Sequence, residues 1–506
     1  MTEAQCTVEE TVAWLKTCTK PGAEITLDSR AVKPGDVFVA LKGAKADGLA
    51  WAEKAAAAGA ASVLYEPRET TPVLAVPSLA VPSLAVPELR RRLGLIASAF
   101  YGEPSFGMVG IGITGTNGKT SISHWVSALL TRLGQPCAAI GTIGTFFKGN
   151  RFPAPALTTP DAASTQTLFK SLKTAGAEAF AIEASSIGLD QGRLSGTVFK
   201  AAVFTNLTRD HLDYHGTFEA YEAAKARLFD WPGLACAVIN ADDACGRRFI
   251  ERTVKRGVRT IAYTASDEAV AGAQMLTARA VRPTTSGTAF TALWQGKEYD
   301  VAVRAIGRFN VLNLLAVAGT ALSLGYEAAE VFAALSELDP PAGRLQRVAS
   351  DEGPLCVVDY AHTPDALEKV LTVLRETAEH RGGKLRVVFG AGGDRDHGKR
   401  PLMGETASRL ADVVTVTSDN PRSEDPQSII DMITAGCKVA QTLVTEPDRR
   451  RAIEATVAAA SPCDVVLVAG KGHEDYQEIQ GVKHHFSDVE VVRAALAARS
   501  EKVRIV

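Results

Sequence analysis

The stretch "MVGIGITGTNGKTSISHWV", 108–126, constrains the fold more than any other. An apolar run ends in a glycine turn, and the turn opens directly into a helical pattern that closes on Gly134. Strand, loop and helix in that order are what a phosphate-binding loop requires. The loop is short: only Thr116 and Asn117 separate Gly115 from Gly118, and Lys119 and Thr120 follow. The ordinary pattern, G-x-x-x-x-G-K-[ST], is longer. Backbone N–H groups at a helix start suit phosphate, a lysine suits its β/γ oxygens, and a threonine hydroxyl suits Mg²⁺. The plainer alternative is a strand–helix turn that merely requires glycine. With a strand before and a helix after, the expectation is ATP.

Further apolar runs, "AFAIEAS", "AAVFTNL" and "ACAVINAD", alternate with helical stretches and predict a parallel sheet around that loop. The theme returns in "LCVVDYA", "LRVVFGAGG", "VVTVTSDN" and "DVVLVAGKG". Each is a strand running into a polar or glycine loop, where open α/β sheets place ligands. The Pro/Gly-rich passages "YGEPSFGM" and "ELDPPAGR" read as linkers. At 506 residues the chain is too long for one core. The expected class is α/β with three domains: 1–104, a central P-loop-type parallel-sheet domain at 105–341, and a C-terminal Rossmann-like domain at 342–506. "LAVPSLAVPSLAVPEL", 74–89, repeats proline every five residues. That excludes a continuous helix or central strand and predicts a strand followed by an expanded surface loop.

A formal net charge of -2 argues against nucleic acid as a partner. The start, "MTEAQCTVEETVAWLK", lacks the basic and apolar regions of a signal peptide, and no run of 18 apolar residues predicts a membrane span. Eight cysteines without a C-x-x-C pair fit reduced thiols. The expectation is a cytoplasmic monomer.

Three more segments carry candidate chemistry. In "GTFEAYEAAKARLFDW", helical spacing puts Phe218, Tyr221, Lys225, Leu228 and Phe229 on one face, so Lys225 lies in an apolar stripe. The ordinary reading is a snorkelling stem. The sharper one is a buried, easily deprotonated amine able to take up carbon dioxide as a carbamate. Glu183 and His211 each follow a strand near the glycine loop and are candidate Mg²⁺ ligands, with Asp210 and Asp213 as rivals. In "GAGGDRDHGKRPLMG" and "TSDNPRSEDP", Arg395 and Arg422 each follow a strand, and a guanidinium is the bidentate partner of a carboxylate. "DNPRSEDP" on its own also reads as a plain turn. "AGKGHEDYQ" lacks the Ser/Thr of a phosphate loop after Lys471, so a second ATP site is discounted.

Taken together, "TGTNGKT", "YEAAK" with "LF", "DYAHTPD", "GGDRDHGKRPLMG", "SDNPRSEDP" and "GKGHEDYQ" resemble the Mur ligases, the ATP-dependent amide-forming enzymes of peptidoglycan synthesis. The closest resemblance is to the diaminopimelate-adding branch, and it extends from "LDSRAVKPGDVFVALKG" to the C-terminal region. The resemblance implies the short loop Gly115, Thr116, Asn117, Gly118, Lys119 and Thr120 for ATP, with Asn313, Arg344 and Asp359 facing the nucleotide. It implies Lys119, Lys225, His211 and Glu183 as catalytic, Lys225 carrying a carbamate, and Mg²⁺ held by Thr120, Glu183, His211 and that carbamate. Leu27, Ser29, Thr158, Thr159, Ser185, Gln191 and Arg193 would bind the uridine-linked muramoyl dipeptide, UDP-N-acetylmuramoyl-L-alanyl-D-glutamate. Arg395, Asp419, Asn420, Pro421, Arg422, Gly470 and Glu474 would bind meso-diaminopimelate. Such a ligase serves cell-wall biogenesis, cell shape and division.

One departure is "GAKADG", where relatives carry G-H-Q-A-D-G near the uridine site: Ala44 offers no side-chain hydrogen bond, and Lys45 stands where the diphosphate can be met. The rival readings are an L-lysine-adding ligase, a folylpolyglutamate synthetase, which has no use for "DNPRSEDP", and an inactive nucleotide-binding relative. Lysine lacks the distal carboxylate of diaminopimelate. A buried Arg422 would then lose its partner, a penalty of roughly 3–5 kcal/mol.

Overall fold

A computed structural model of the chain describes residues 6–43, 47–67, 80–153, 157–266, 268–284, 287–348 and 353–504. Ala44, Lys45 and residues 74–79 of the proline repeat lie outside the described residues. The chain divides into two units, Met1–Leu276 with Ala316–Val331, and Thr277–Leu315 with Phe332–Val506.

The first unit begins with a helix, Val8–Cys18, started by a reciprocal cap: Glu10 N–H donates to Thr7 Oγ1, and Thr7 N–H donates to the Glu10 carboxylate. Four parallel strands follow, Ile25–Thr26, Val37–Ala40, Ser62–Tyr65 and Ser83–Ala85. The last lies at the end of the proline repeat and leads within a few residues into the helix Leu89–Phe100, so the expected order of a strand followed by an expanded loop is not what the described part of the repeat shows.

The strand before the glycine loop is Val109–Thr114, and it lies in the middle of its sheet. Its parallel neighbours are Ala179–Glu183 on one side and Ala201–Phe204 on the other. Cys137–Gly141 extends the sheet past the first, and Cys236–Asn240 and Arg259–Thr264 extend it past the second, all parallel. Chain connections thus leave the central strand in opposite directions, which opens a crevice at the carboxyl ends of the strands. Registry aligns those ends: Ile113 pairs with Glu183, and Thr114 with Phe204. The parallel expectation is met at the centre, but Gly144–Phe147 and Asn150–Phe152 add an antiparallel edge. Strands this short turn back on themselves, because a parallel return needs a crossover of a dozen residues or more.

The second unit contains an antiparallel hairpin, Gly287–Trp294 with Lys297–Val303, and a six-stranded sheet. In that sheet Leu355–Asp359, Val465–Ala469, Leu385–Phe389, Val413–Val416 and Thr442–Thr445 are successive parallel neighbours, with Gln346–Val348 antiparallel at one edge. Both faces of the inner strands are buried, while the edge strand Thr442–Thr445 is exposed. Val357, Val387 and Leu467 enter one apolar cluster, while Val358, Val388, Val466 and Val468 enter another. Continuous Val/Leu runs are therefore what these strands require.

A buried ion pair braces the carboxyl edge of this sheet. Arg449 donates to Asp488 at 2.7 and 2.8 Å, and to the carbonyls of Ser418 and Ala469 at 3.1 and 2.9 Å. Neither charged side chain reaches solvent. Asp488→Ala leaves the guanidinium buried without its counter-charge and is expected to lower stability by about 3–5 kcal/mol. Replacing both partners with Arg449→Met and Asp488→Leu should cost less. Urea denaturation midpoints of the two variants measure the difference.

Candidate active site

The loop at 115–118 is built against the sheet so closely that its first residue has to be glycine. Gly115 has φ 144°, and a β-carbon there would overlap Thr205 Oγ1. That hydroxyl instead donates to Asn117 O at 2.6 Å, and Asn117 N–H donates to Asn206 Oδ1 at 3.0 Å. Thr116 Oγ1 accepts from Thr208 N–H at 2.9 Å and lies 3.0 Å from the Tyr221 hydroxyl. Burial pushes the Tyr221 phenol up to about 12, so it stays protonated as a hydrogen-bond partner. The helix Lys119–Arg132 then begins at Gly118 with no side-chain cap. Its first N–H groups and the positive end of its dipole fit a phosphate group.

Two lysines meet at this loop. Lys119 Nζ donates to Gly115 O at 3.0 Å and Thr116 O at 2.8 Å, and Lys225 Nζ donates to the same Gly115 O at 2.8 Å. Lys225 comes from the helix Phe218–Ala226 and is 1% exposed, so it does not snorkel. Tyr221, Leu228 and Phe229 are buried with it, while Phe218, at the helix start, is exposed. Its ammonium sits 4.4 Å from the Tyr221 ring centroid. Burial, and next the nearby Lys119 charge, hold the Lys225 amine well below the ordinary lysine range. The neutral amine, with its free lone pair, is therefore easier to reach than in a solvated lysine.

A second network joins six expected residues with one that the sequence reading missed, Thr142, which links Glu183 to Thr158. Glu183 is 1% exposed, and its carboxylate accepts Thr142 N–H at 2.9 Å and Thr142 Oγ1 at 3.1 Å. Thr142 Oγ1 lies 3.0 Å from Thr158 Oγ1. Thr159 Oγ1 donates to Glu183 O at 2.7 Å and is 2.9 Å from Ser185 Oγ. Arg193 donates to Thr159 O at 2.9 Å and to Gln191 Oε1 at 2.8 and 3.0 Å. Burial holds the Arg193 guanidinium below its ordinary range, so an anionic ligand beside it would be strongly favoured.

His211 stands apart from that network. It is exposed at φ 51°, with its Nε2 3.5 Å from Asp210 Oδ2 and its ring 6.1 Å from that of Tyr221. Among the described residues no three His, Cys, Asp or Glu side chains are grouped to hold a metal by themselves. Glu183 and Thr120 at a phosphate loop suit Mg²⁺ nonetheless, since that ion keeps waters and phosphate oxygens and needs only one or two protein oxygens. In the N-terminal sheet, Leu27 packs half-buried on the core, and Ser29 is half-exposed just beyond the strand Ile25–Thr26.

In the second unit, Asp359 is held by Leu345 N–H at 2.7 Å and Ala361 N–H at 2.8 Å. Burial nevertheless pushes its carboxyl above the usual range. Arg344 lies 5.4 Å over the Tyr360 ring with its buried Nε unbonded, and Asn313 donates to Asn310 Oδ1 at 3.1 Å. Around the "DNPR" turn, Asp419 and Asn420 are buried, Arg395 is exposed, and Pro421 precedes Arg422 at φ 52°. Arg422 is 23% exposed, donates to Gly393 O at 2.7 Å and lies 3.4 Å from Glu478. The expectation of an Arg422 left without a counter-charge beside bound lysine is thereby corrected: Glu478 supplies one. The Asn420 oxygen is also occupied, accepting Lys471 Nζ at 3.1 Å and Glu478 N–H at 2.9 Å. The Asn420 oxygen therefore has both lone pairs in use within the protein.

The chain matches three family models: the Mur ligase family catalytic domain over 23–101, the Mur ligase middle domain over 113–321, and the Mur ligase glutamate ligase domain over 343–472. It is 48% identical over 482 residues to the UDP-N-acetylmuramoyl-L-alanyl-D-glutamate–2,6-diaminopimelate ligase of Pseudomonas aeruginosa, covering 94% of this chain and 95% of that one. A solved structure of a UDP-N-acetylmuramoyl-L-alanyl-D-glutamate–2,6-diaminopimelate ligase matches with a TM-score of 0.70 at 37% identity, over 95% of this chain and 96% of the other. The MurF ligase from Thermotoga maritima in complex with ADP shares the fold alone, with a TM-score of 0.61 at 18% identity, over 95% and 98% of the two chains. The chain belongs to the Mur ligase family.

Proposed function

We propose that this ligase uses ATP to join meso-diaminopimelate to the D-glutamyl carboxylate of UDP-N-acetylmuramoyl-L-alanyl-D-glutamate, as a cytoplasmic monomer. The observation that carries the amino-acid assignment is the "DNPR" turn, which carries the buried Asp419 carboxylate and the Arg422 cation and holds Glu474 through the Asn420 amide. A distal end bearing one carboxylate and one ammonium complements that set. The work divides as uridine binding in 1–104, phosphoryl transfer in 105–341 and amino-acid binding in 342–506.

A carboxylate is a poor electrophile, so phosphoryl transfer first makes it an acyl phosphate. The amine of the incoming amino acid then adds to the carbonyl carbon, and the tetrahedral adduct collapses to amide and phosphate. Lys119 and the N–H groups at the helix start take up the charge that gathers on the transferred group. Thr120 and Glu183 would hold Mg²⁺, which would neutralise phosphate charge, and His211 would have to approach from its exposed position to join them. The Arg193–Gln191–Thr159 network orients the peptide carboxylate. Lys225, as a neutral amine, forms an N–C bond to carbon dioxide and releases a proton to water, giving an anionic carbamate that supports the metal.

Lys119→Ala is expected to lose acyl phosphate formation even without the amino acid, read as failed phosphate transfer. Normal transfer by that variant would show that the loop serves another purpose. Lys225→Ala should lose most turnover and regain part of it with added short carboxylic acids, which fill the missing anion. ¹³C-bicarbonate NMR of the unmutated enzyme should show a carbamate signal that this variant lacks, and near-normal turnover of the variant would refute the role.

An amino-acid panel assayed for phosphate release tests the substrate. Because Arg422 keeps Glu478 and some solvent, bound lysine should be disfavoured by about 1–3 kcal/mol rather than by the full buried-pair penalty. That is roughly fivefold to somewhat over a hundredfold in kcat/KM. Arg422→Ala should erase the preference and leave KM for ATP unchanged. Equal use of both amino acids by the unmutated enzyme would overturn the assignment.

A further inference from the structure

The G-K-G turn at 470–472 is no phosphate loop, yet its lysine is 0% exposed. The turn reaches this depth through two glycines at positive φ, 116° at Gly470 and 54° at Gly472. A β-carbon at 470 would come within 2.5 Å of Asp419 Oδ2, and one at 472 within 2.7 Å of Tyr360 Cβ. The chain therefore presses against both residues and carries the Lys471 side chain inward, where its ammonium lies 5.4 Å from the Tyr476 ring centroid.

Lys471 Nζ donates to Asn420 Oδ1 at 3.1 Å and to Glu474 Oε2 at 3.0 Å. Asn420 Nδ2 donates to the same Glu474 oxygen at 2.9 Å. This geometry fixes two orientations. Flipping the Asn420 amide would turn its NH₂ group toward an ammonium and toward Glu478 N–H, two donors with no acceptor between them. Glu474 Oε2 is fully engaged by two donors, which leaves Oε1 as the carboxylate atom for a ligand.

We infer that Lys471 is a positioning residue for the incoming amino acid: it locks the Asn420 amide and the Glu474 carboxylate so that Glu474 Oε1 faces the substrate ammonium. The inference rests on the proposed amino-acid site. The alternative is a buried pair that only stabilises the second unit, and the two differ in which kinetic constant moves.

The test is steady-state phosphate release by the full-length enzyme with ATP, the uridine-linked dipeptide and meso-diaminopimelate. Lys471→Met should raise KM for diaminopimelate about five- to a hundredfold. KM for the other two substrates should stay within about twofold, inside the scatter expected for uncoupled sites. Lys471→Gln keeps one donor and should give a smaller rise; it carries the comparison if the methionine variant does not fold. In a Glu474→Gln background, Lys471→Met should change KM much less, because the group it positions is already altered. An unchanged KM for diaminopimelate, a parallel rise for all three substrates, or full additivity with Glu474→Gln would overturn the inference. If the unmutated enzyme rejects diaminopimelate, the substrate assignment fails on its own. The same comparison with the accepted amino acid then decides the role of Lys471.

Discussion

Gly115 is where backbone, nucleotide loop and buried amine converge. Its missing β-carbon lets the loop lie on Thr205, and its carbonyl is the common acceptor of Lys119 and Lys225. Two ammonium groups around one carbonyl repel each other, and the one with no water loses its proton more easily. The close approach that shapes the glycine loop thus also weakens the hold of the amine on its proton. Tyr221 couples the two by packing under Lys225 while its hydroxyl meets Thr116.

The second unit solves a related problem with different parts. Parallel strands end together at one edge, and the residues at or just past those ends, Asp359, 417–422 and 470–474, form the candidate amino-acid and nucleotide contacts. Charges accumulate there, and the buried cations are matched: Arg449 by Asp488, Lys471 by Glu474, Arg400 by Glu424. Arg400 holds Glu424 so firmly that this carboxyl drops to about 2. Arg449 also ties the carbonyls of Ser418 and Ala469, so the two loops that carry Asp419 and Gly470 are anchored at their roots. A ligand arriving at such an edge meets groups already oriented, which lowers the ordering cost of binding.

Much of this was legible in the chain. Each apolar run read as a strand is one, because a strand buried on both faces has to be apolar throughout. The residues after those runs fell at carboxyl ends for the same topological reason. Thr142 escaped notice because a lone threonine after "AAIG" carries no pattern; only the packing of Cys137–Gly141 beside Ala179–Glu183 brings it to Glu183. Lys471 escaped because the sequence weighed it against phosphate and found no hydroxyl neighbour. Its partners are 51 residues away at Asn420 and three away at Glu474.

The sequence alone determined the order of strands, loops and helices, the glycine turn at 115–118 and the apolar stripe around Lys225, since periodicity and backbone freedom are local properties. It could not determine whether that lysine reached water. Helical spacing is the same for a snorkelling stem and a buried amine, and the choice depends on what covers the face. Tertiary structure decided it by folding the loop carbonyl and the Tyr221 ring over the amine, leaving 1% exposure. It likewise decided that Arg422 has Glu478 beside it, because the hairpin Tyr476–Ile479 with Val482–His485 runs alongside the "DNPR" turn. Desolvation and pairing are properties of neighbours distant in the chain, and only the folded sheet supplies them.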